Sequence, residues 1–465
     1  MGKYNMDSIR NVVMMGHGKC GKTTLAEAML LNSAAVDRMG RVSDGTTVSD
    51  YDTEEIKRQI SIQMSMIPIE WKGMKYNIID TPGYFDFVGE VKEGLRAADS
   101  ALIVLSGRSG VSVGTEQVFS YARAKGVPTV FFVNKMDDDR ADYMKTLEQM
   151  KEKFGKAITP FVIPIREGDK FKGFVDIVDM TARRYEGIDR IDIPVPEGME
   201  DTVAPLREMI MEAVAETDDA LMNKYFNGEE FTFDEIKQAI RKGVKDGSIF
   251  PVYCGTGQEN VGVMSLMDGI GKYLPNPNEI TEVAHDSKSG EPVEVVQDAQ
   301  DTTSAIVFKT VADPYVGKMS LFRVYSGCVK ADSTLYNPNK DTYERIGKIY
   351  TLIGKKQVEV KEVVAGDIGV VSKLDKTKTG DTLCAENKNI ILSGIEFPSP
   401  VISMAVYPIA KGDEEKIAGG LMKLTDEDPT FSVTNNSETK QTLINGLGEQ
   451  HIDVIVSKLK AKFGI

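Results

Sequence analysis

The chain has 465 residues, 41% of them hydrophobic and 27% charged, with a formal net charge of −14. That length suggests about three domains, each with enough apolar material for a core. The acidity argues against broad non-specific nucleic-acid binding, which needs basic surface, and leaves local docking on a nucleoprotein open.

The first strand is expected over 11–15. It runs into Gly16-His17-Gly18-Lys19-Cys20-Gly21-Lys22-Thr23, which reads G-x-x-x-x-G-K-T, and then into a helix over 22–31. Strand, glycine loop and helix is the context this motif needs. Glycines let the loop wrap so that backbone N–H groups face phosphate oxygens. Lys22 would reach the β- and γ-phosphates, and the Thr23 hydroxyl would bind Mg²⁺. Further strands are expected over 61–70, 75–80, 100–105 and 128–134, and helices over 88–98, 115–125 and 143–154. This alternation predicts a multidomain α/β chain that opens with a mostly parallel sheet covered by helices on both faces. Ligands in such folds sit at the carboxyl ends of the strands. Residues 32–60 are polar and aperiodic, which marks either a mobile loop or a functional one.

Two strand ends carry further chemistry. At Asp80-Thr81-Pro82-Gly83, the carboxylate can hold Mg²⁺ through water, and the Gly83 N–H can approach a γ-phosphate. Pro-Gly is a common turn, so the weight here comes from its spacing after the glycine loop. At Asn134-Lys135-Met136-Asp137, the Asp137 carboxylate can accept from guanine N1–H and N2–H. Adenine offers neither donor and would strand a buried acceptor, which gives strong discrimination. A weaker motif lies near Thr256-Gly257, where backbone N–H groups could contact guanine O6.

The nucleotide-binding domain is expected to span 1–157 and 252–282, with an inserted subdomain at 158–251. The insertion carries strands near 161–164 and 173–178 and helices near 204–216 and 233–242. Residues 283–301 are acidic and polar and read as a linker. Short β-rich runs at 304–311, 319–326, 358–360 and 368–371 predict a small β-barrel over 302–397. From 398 to 465 the order is β-α-β-β-α, a ferredoxin-like split fold that would need one more strand. The four cysteines, Cys20, Cys254, Cys328 and Cys384, are widely spaced without C-x-x-C. They suggest neither a zinc site nor a disulfide framework, which fits a cytoplasmic protein. No run approaches membrane-spanning length.

The three nucleotide motifs and the domain order resemble translation elongation factor G and its ribosome-binding relatives. Further matches are Lys57-Arg58-Gln59-Ile60-Ser61, Gly366-Asp367-Ile368, Thr379-Gly380-Asp381-Thr382-Leu383, Glu427-Asp428-Pro429 and Gly446-Leu447-Gly448-Glu449-Gln450-His451-Ile452. The resemblance implies GTP and GDP as ligands, held by Gly16 to Thr24, and Mg²⁺ bound by Thr23 and Ser61 with Asp80 behind. It implies guanine recognition by Asn134, Lys135 and Asp137 with Thr256 and Gly257. It makes residues 41–60 and 83–91 switch loops that order on the γ-phosphate and release after hydrolysis. It implies the ribosome, through its RNA and stalk proteins, as partner, with no sequence-specific DNA; a monomer is the expectation. The family continues into two further domains, so the chain reads as stopping short of them and as unable by itself to translocate tRNA.

Three positions depart from the family pattern. Tyr84 stands where histidine positions the attacking water. A free phenol has a pKa near ~10 and cannot gain charge as imidazole does. With Gly83 and Lys22 it makes up the candidate catalytic set, and slow GTP hydrolysis is the expectation. The alternative is a switch that binds the ribosome with little or no hydrolysis, as a regulator or protection protein. Ser61 replaces threonine and keeps the hydroxyl, while Gln59 replaces glycine. Lys19 replaces an aspartate associated with a bound cation, and either faces a phosphate or points to solvent. Elongation factor G-like paralogues share a glycine-rich loop without the aspartate, and Asp-Thr-Pro-Gly-Tyr, so the chain is most like that group.

Overall fold

The strand Ile9–Met15 is buried along its whole length, as a central strand with helices on both faces must be. The computed structural model describes residues 4–168, 170–186, 189–313, 317–408 and 414–463. Around this strand runs a seven-stranded sheet in the order Ser65–Trp71, Met74–Asp80, Ile9–Met15, Ser100–Ser106, Thr129–Asn134, Phe250–Cys254, Ile158–Pro160. All neighbours are parallel except the first pair, which is antiparallel. The expected helices form as Lys22–Asn32, Val88–Ala97, Val113–Lys125 and Tyr143–Phe154. The predicted strand at 61–70 begins later, at Ser65, so Ser61 lies in a loop and not in the sheet.

The inserted residues form a four-stranded antiparallel sheet, Val162–Glu167, Lys170–Asp176, Thr181–Glu186 and Asp189–Ile193. Helices Glu200–Ala215, Asp219–Phe226 and Phe233–Asp246 follow. The last starts at a capping box, in which Thr232 and Glu235 each satisfy the other's backbone N–H.

The stretch expected to be a linker is built into the fold. Thr281–Asp286 and Pro292–Val296 form an antiparallel hairpin, and Ile390–Leu392 pairs against its first strand. Its polar, acidic composition hid it, because Ala284 and Val295 are its only fully buried apolar residues, joined by the buried amide of Gln297. It owes its form to tertiary pairing more than to periodicity. Then comes an eight-stranded antiparallel sheet that includes Ser304–Asp313 and Gly317–Ser326, wrapped on a core around Phe322, Val324 and Ile346. The final unit is β-α-β-β-α as expected, with strand order Ile402–Val406, Gln441–Gly446, Ser432–Asn436 and helices Glu414–Glu427 and Glu449–Phe463.

The β-rich unit is fastened to the nucleotide-binding unit by buried ions. Arg323 and Asp99, each 1% exposed, pair at 2.6 Å. Lys309 reaches Glu90 at 2.5 Å and Glu93 at 3.0 Å. Burial opposes charge on Lys309, but the two glutamates outweigh it and push its pKa up. Burial pushes the Glu93 carboxyl up as well. Lys309→Met should therefore leave two crowded carboxylates without a cation. We expect a loss of about 3–5 kcal/mol, read as a lower denaturation midpoint by circular dichroism. The tip of a hairpin from the β-rich unit also touches the 41–60 loop. The Gly354 N–H donates to the Met66 carbonyl (2.9 Å), and a Cβ at 354 would lie 2.2 Å from the Val48 carbonyl oxygen.

Candidate functional site

A cleft of about 540 Å³ opens where Ile9–Met15, Met74–Asp80 and Thr129–Asn134 end. Gly18, Lys19, Gly21, Lys22, Thr23, Thr24, Ser61, Gly83, Tyr84, Asn134, Lys135, Asp137 and Thr256 line it, so most residues singled out from the sequence meet in one place. Gly16, His17, Cys20, Asp80, Thr81, Pro82 and Gly257 stand behind or beside that wall. His17 points outward, its ring centroid 6.3 Å from that of Phe85. Cys20 is buried under the loop, and Thr81 ties its strand to the Met14 carbonyl (2.8 Å).

The loop's shape follows from contact distances. Gly16 has φ +152, and a Cβ there would lie 2.2 Å from the Val104 carbonyl oxygen. A Cβ on Gly83 would lie 2.6 Å from both the Gly18 nitrogen and Lys22 Nζ, so the turn after Asp80 presses on the glycine loop. Lys22 Nζ donates to the Gly16 (3.0 Å) and His17 (3.2 Å) carbonyls. Lys19 holds a left-handed φ of 63 and is exposed at the rim, which joins the two orientations left open by the sequence: it lines the cleft and meets solvent.

On the floor, Thr23 Oγ1 lies 3.0 Å from Asp80 Oδ2 and 3.2 Å from Ser61 Oγ. Asp80 Oδ1 is buried without a hydrogen-bond partner among the described residues. Asp50, which the sequence reading did not single out, is 5% exposed and lines the same cleft. Burial pushes the Asp50 carboxyl up, against the pull of Ser61, Lys22 and Thr23. Burial and then Asp50 push Asp80 up to about 7. Two hydroxyls and two crowded carboxylates, one with an unused oxygen, are the hard donors a divalent cation takes. Asp50 sits in a charged run with no usable periodicity, so only the fold reveals its burial. Part of that run, Thr53–Arg58, is a short helix with a capping box between Asp52 and Glu55, where an irregular loop was expected. Glu27, 1% exposed, holds the loop by accepting from the Gly40 (2.8 Å) and Val48 (2.6 Å) N–H groups.

At the other end, Asn134 joins two loops. Its Nδ2 donates to the Cys20 (3.0 Å) and Gly21 (3.3 Å) carbonyls, and its Oδ1 accepts from the Gly257 N–H (2.9 Å). Asp137 is exposed at the mouth beside Lys135. Asn134→Ala should loosen both loops together. We expect fluorescent GDP to dissociate on the order of tenfold faster in a stopped-flow chase.

Residues 7–276 match the family model described as elongation factor Tu GTP binding domain, 302–386 match elongation factor G domain 2, and 397–465 match elongation factor G, domain III. The chain belongs to the elongation factor G family. Its GTP-binding domain is the GTPase type of these factors. A crystal structure of a protein from Thermus thermophilus superposes with a TM-score of 0.88 at 32% identity, covering 98% of this chain and 66% of that one. This family member therefore spans about two thirds of that relative's length. Among its described residues no helix is long and apolar enough to cross a membrane.

Proposed function

We infer that this chain binds GTP in the cleft and hydrolyses it slowly to GDP in connection with the ribosome, as a cytoplasmic factor of the elongation factor G-like type. The observation that carries this is the convergence of the glycine loop, the Gly83 turn and the Asn134–Asp137 strand end on one cleft. Lys22 and the loop N–H groups would hold the phosphates, and Asp137 would read guanine. Thr23 and Ser61 would hold Mg²⁺ with Asp80 and Asp50 close by; such a cation offsets phosphate charge. Tyr84, next to Gly83 in the cleft wall, would orient the attacking water through its hydroxyl. Turnover of GTP by the purified protein, with and without ribosomes, tests the reading. Turnover that ribosomes increase supports it; no turnover in either condition, with GTP still bound, supports instead a switch that occupies the ribosome without hydrolysis. Tyr84 in place of histidine favours that second reading.

Lys19 adds a distinct expectation. A rim ammonium facing the phosphates would stand where relatives use a bound monovalent cation. GTP turnover should then change by less than about twofold when K⁺ is exchanged for Na⁺ or choline. Strong stimulation by K⁺ would show that the Lys19 ammonium does not take the place of that cation.

A further inference from the structure

Gly18 has no backbone reason to be glycine. Its φ lies outside the left-handed region, unlike those of Gly16 and Gly21. What a side chain there would meet is Tyr84. A Cβ at 18 would lie 3.0 Å from Tyr84 Cε2, 3.1 Å from Cζ and 3.3 Å from Cδ2, and these are the three nearest atoms. The phenol ring thus occupies the space that a side chain at 18 would take.

On the side away from the cleft the ring has little room to give way. Behind it lies a buried apolar cluster of Ile60, Ile62, Phe87 and Val454, against which Tyr84 packs. Its backbone is held as well, since Gly83 already presses on the glycine loop. Protein interiors transmit such displacements because their packing leaves few voids.

We propose that Gly18 is the positioning residue for Tyr84: the missing side chain forms the niche that sets the ring, and so the hydroxyl, on the phosphate side of the cleft. The two positions work as a pair, in which tyrosine at 84 needs glycine at 18. This rests on the GTPase reading above for its effect on rate, but not for its geometry.

Two measurements test it on the full chain. In the first, 3-fluorotyrosine is placed at position 84 and its ¹⁹F resonance is followed. Gly18→Ala should move that resonance and Gly18→Val should move it further, and an unmoved resonance in both variants would overturn the pairing. In the second, Gly18→Val is compared with wild type and in a Tyr84→Ala background. We expect kcat at saturating GTP to fall on the order of tenfold, whereas any fall in fluorescent-GDP affinity, which a residue of the phosphate loop can cause directly, should be the same whether or not Tyr84 is present. In the Tyr84→Ala background the same substitution should change kcat by less than about twofold. An equal loss of kcat in both backgrounds would show that residue 18 acts on the loop itself and would overturn the proposal. If the wild type shows no turnover at all, the GTPase reading is what fails, and the resonance alone decides the pairing.

Discussion

Asp137→Asn is expected to weaken GTP binding on the order of a thousandfold and to let xanthosine triphosphate compete in its place. Guanine presents N1–H and N2–H side by side, and a carboxylate accepts both. Each hydrogen bond to a charged group contributes about 1.5–3 kcal/mol, so two of them account for that factor. Asparagine exchanges one acceptor for an N–H donor. That donor opposes the guanine amino group but suits the carbonyl that xanthine carries at the same carbon. The surroundings favour a clean result. Asp137 is exposed at the cleft mouth, so the substitution disturbs no core. Isothermal titration with GTP, ATP and xanthosine triphosphate checks the expectation. Unchanged GTP affinity would remove Asp137 from base recognition, and an ATP affinity rivalling that for GTP would show that the cleft does not select guanine.

Tyr84→His should raise ribosome-stimulated GTP turnover on the order of tenfold. Imidazole changes charge near neutral pH, whereas a phenol titrates near ~10. Imidazole can therefore follow the charge that develops on an attacking water, which a neutral hydroxyl only orients. The substitution also removes ring atoms from the niche beside Gly18 and from the contact with Ile60 and Val454, so some stability should be lost with the gain in rate. Tyr84→Phe separates the two effects, because it keeps the packing and removes the hydroxyl. It should lower turnover without lowering the melting temperature. Equal kcat for wild type and Tyr84→His, measured with the same ribosome preparation, would end the catalytic role given to position 84.

The elements that carry the cleft were legible because they are periodic or punctuated. The buried run before Gly16, the helix after Lys22 and the strands ending at Asp80 and Asn134 fall within a few residues of expectation. What stayed hidden depends on contacts far apart in sequence. The hairpin at Thr281–Asp286 and Pro292–Val296 is acidic and pairs with Ile390–Leu392, some hundred residues on, so it resembled a tether. Asp50 is a charged residue in a charged run, and only the approach of Thr23 and Asp80 makes it part of the floor. Asn134 was assigned to the base from its motif; its bonds to Cys20, Gly21 and Gly257 add a second task, which no spacing announces. Gly18 passed as one more loop glycine, because a missing side chain means nothing until its neighbour is known.

The buried pairs Arg323–Asp99 and Lys309–Glu90 have a mechanical meaning. A charge in that interface cannot slide to a new partner without standing unpaired for a moment in a medium that solvates it poorly. Sliding is therefore forbidden there, and the two units behave as one stiff frame. The last unit is attached differently. It meets the nucleotide-binding unit through the greasy patch of Ile60, Phe87 and Val454 and through Arg58–Asp453, whose aspartate is 63% exposed, and it meets the β-rich unit through the buried Glu427, which accepts from the Ala312 N–H (2.7 Å). The wetted ion pair can re-form in a new place, whereas the buried carboxylate would lose its partner on moving. The last unit thus resembles a door, pinned at the β-rich unit and resting on the same two loops that line the cleft. Any rearrangement of those loops would therefore bear on two neighbours at once: on the last unit, and, through Val48 beside Gly354, on the β-rich unit.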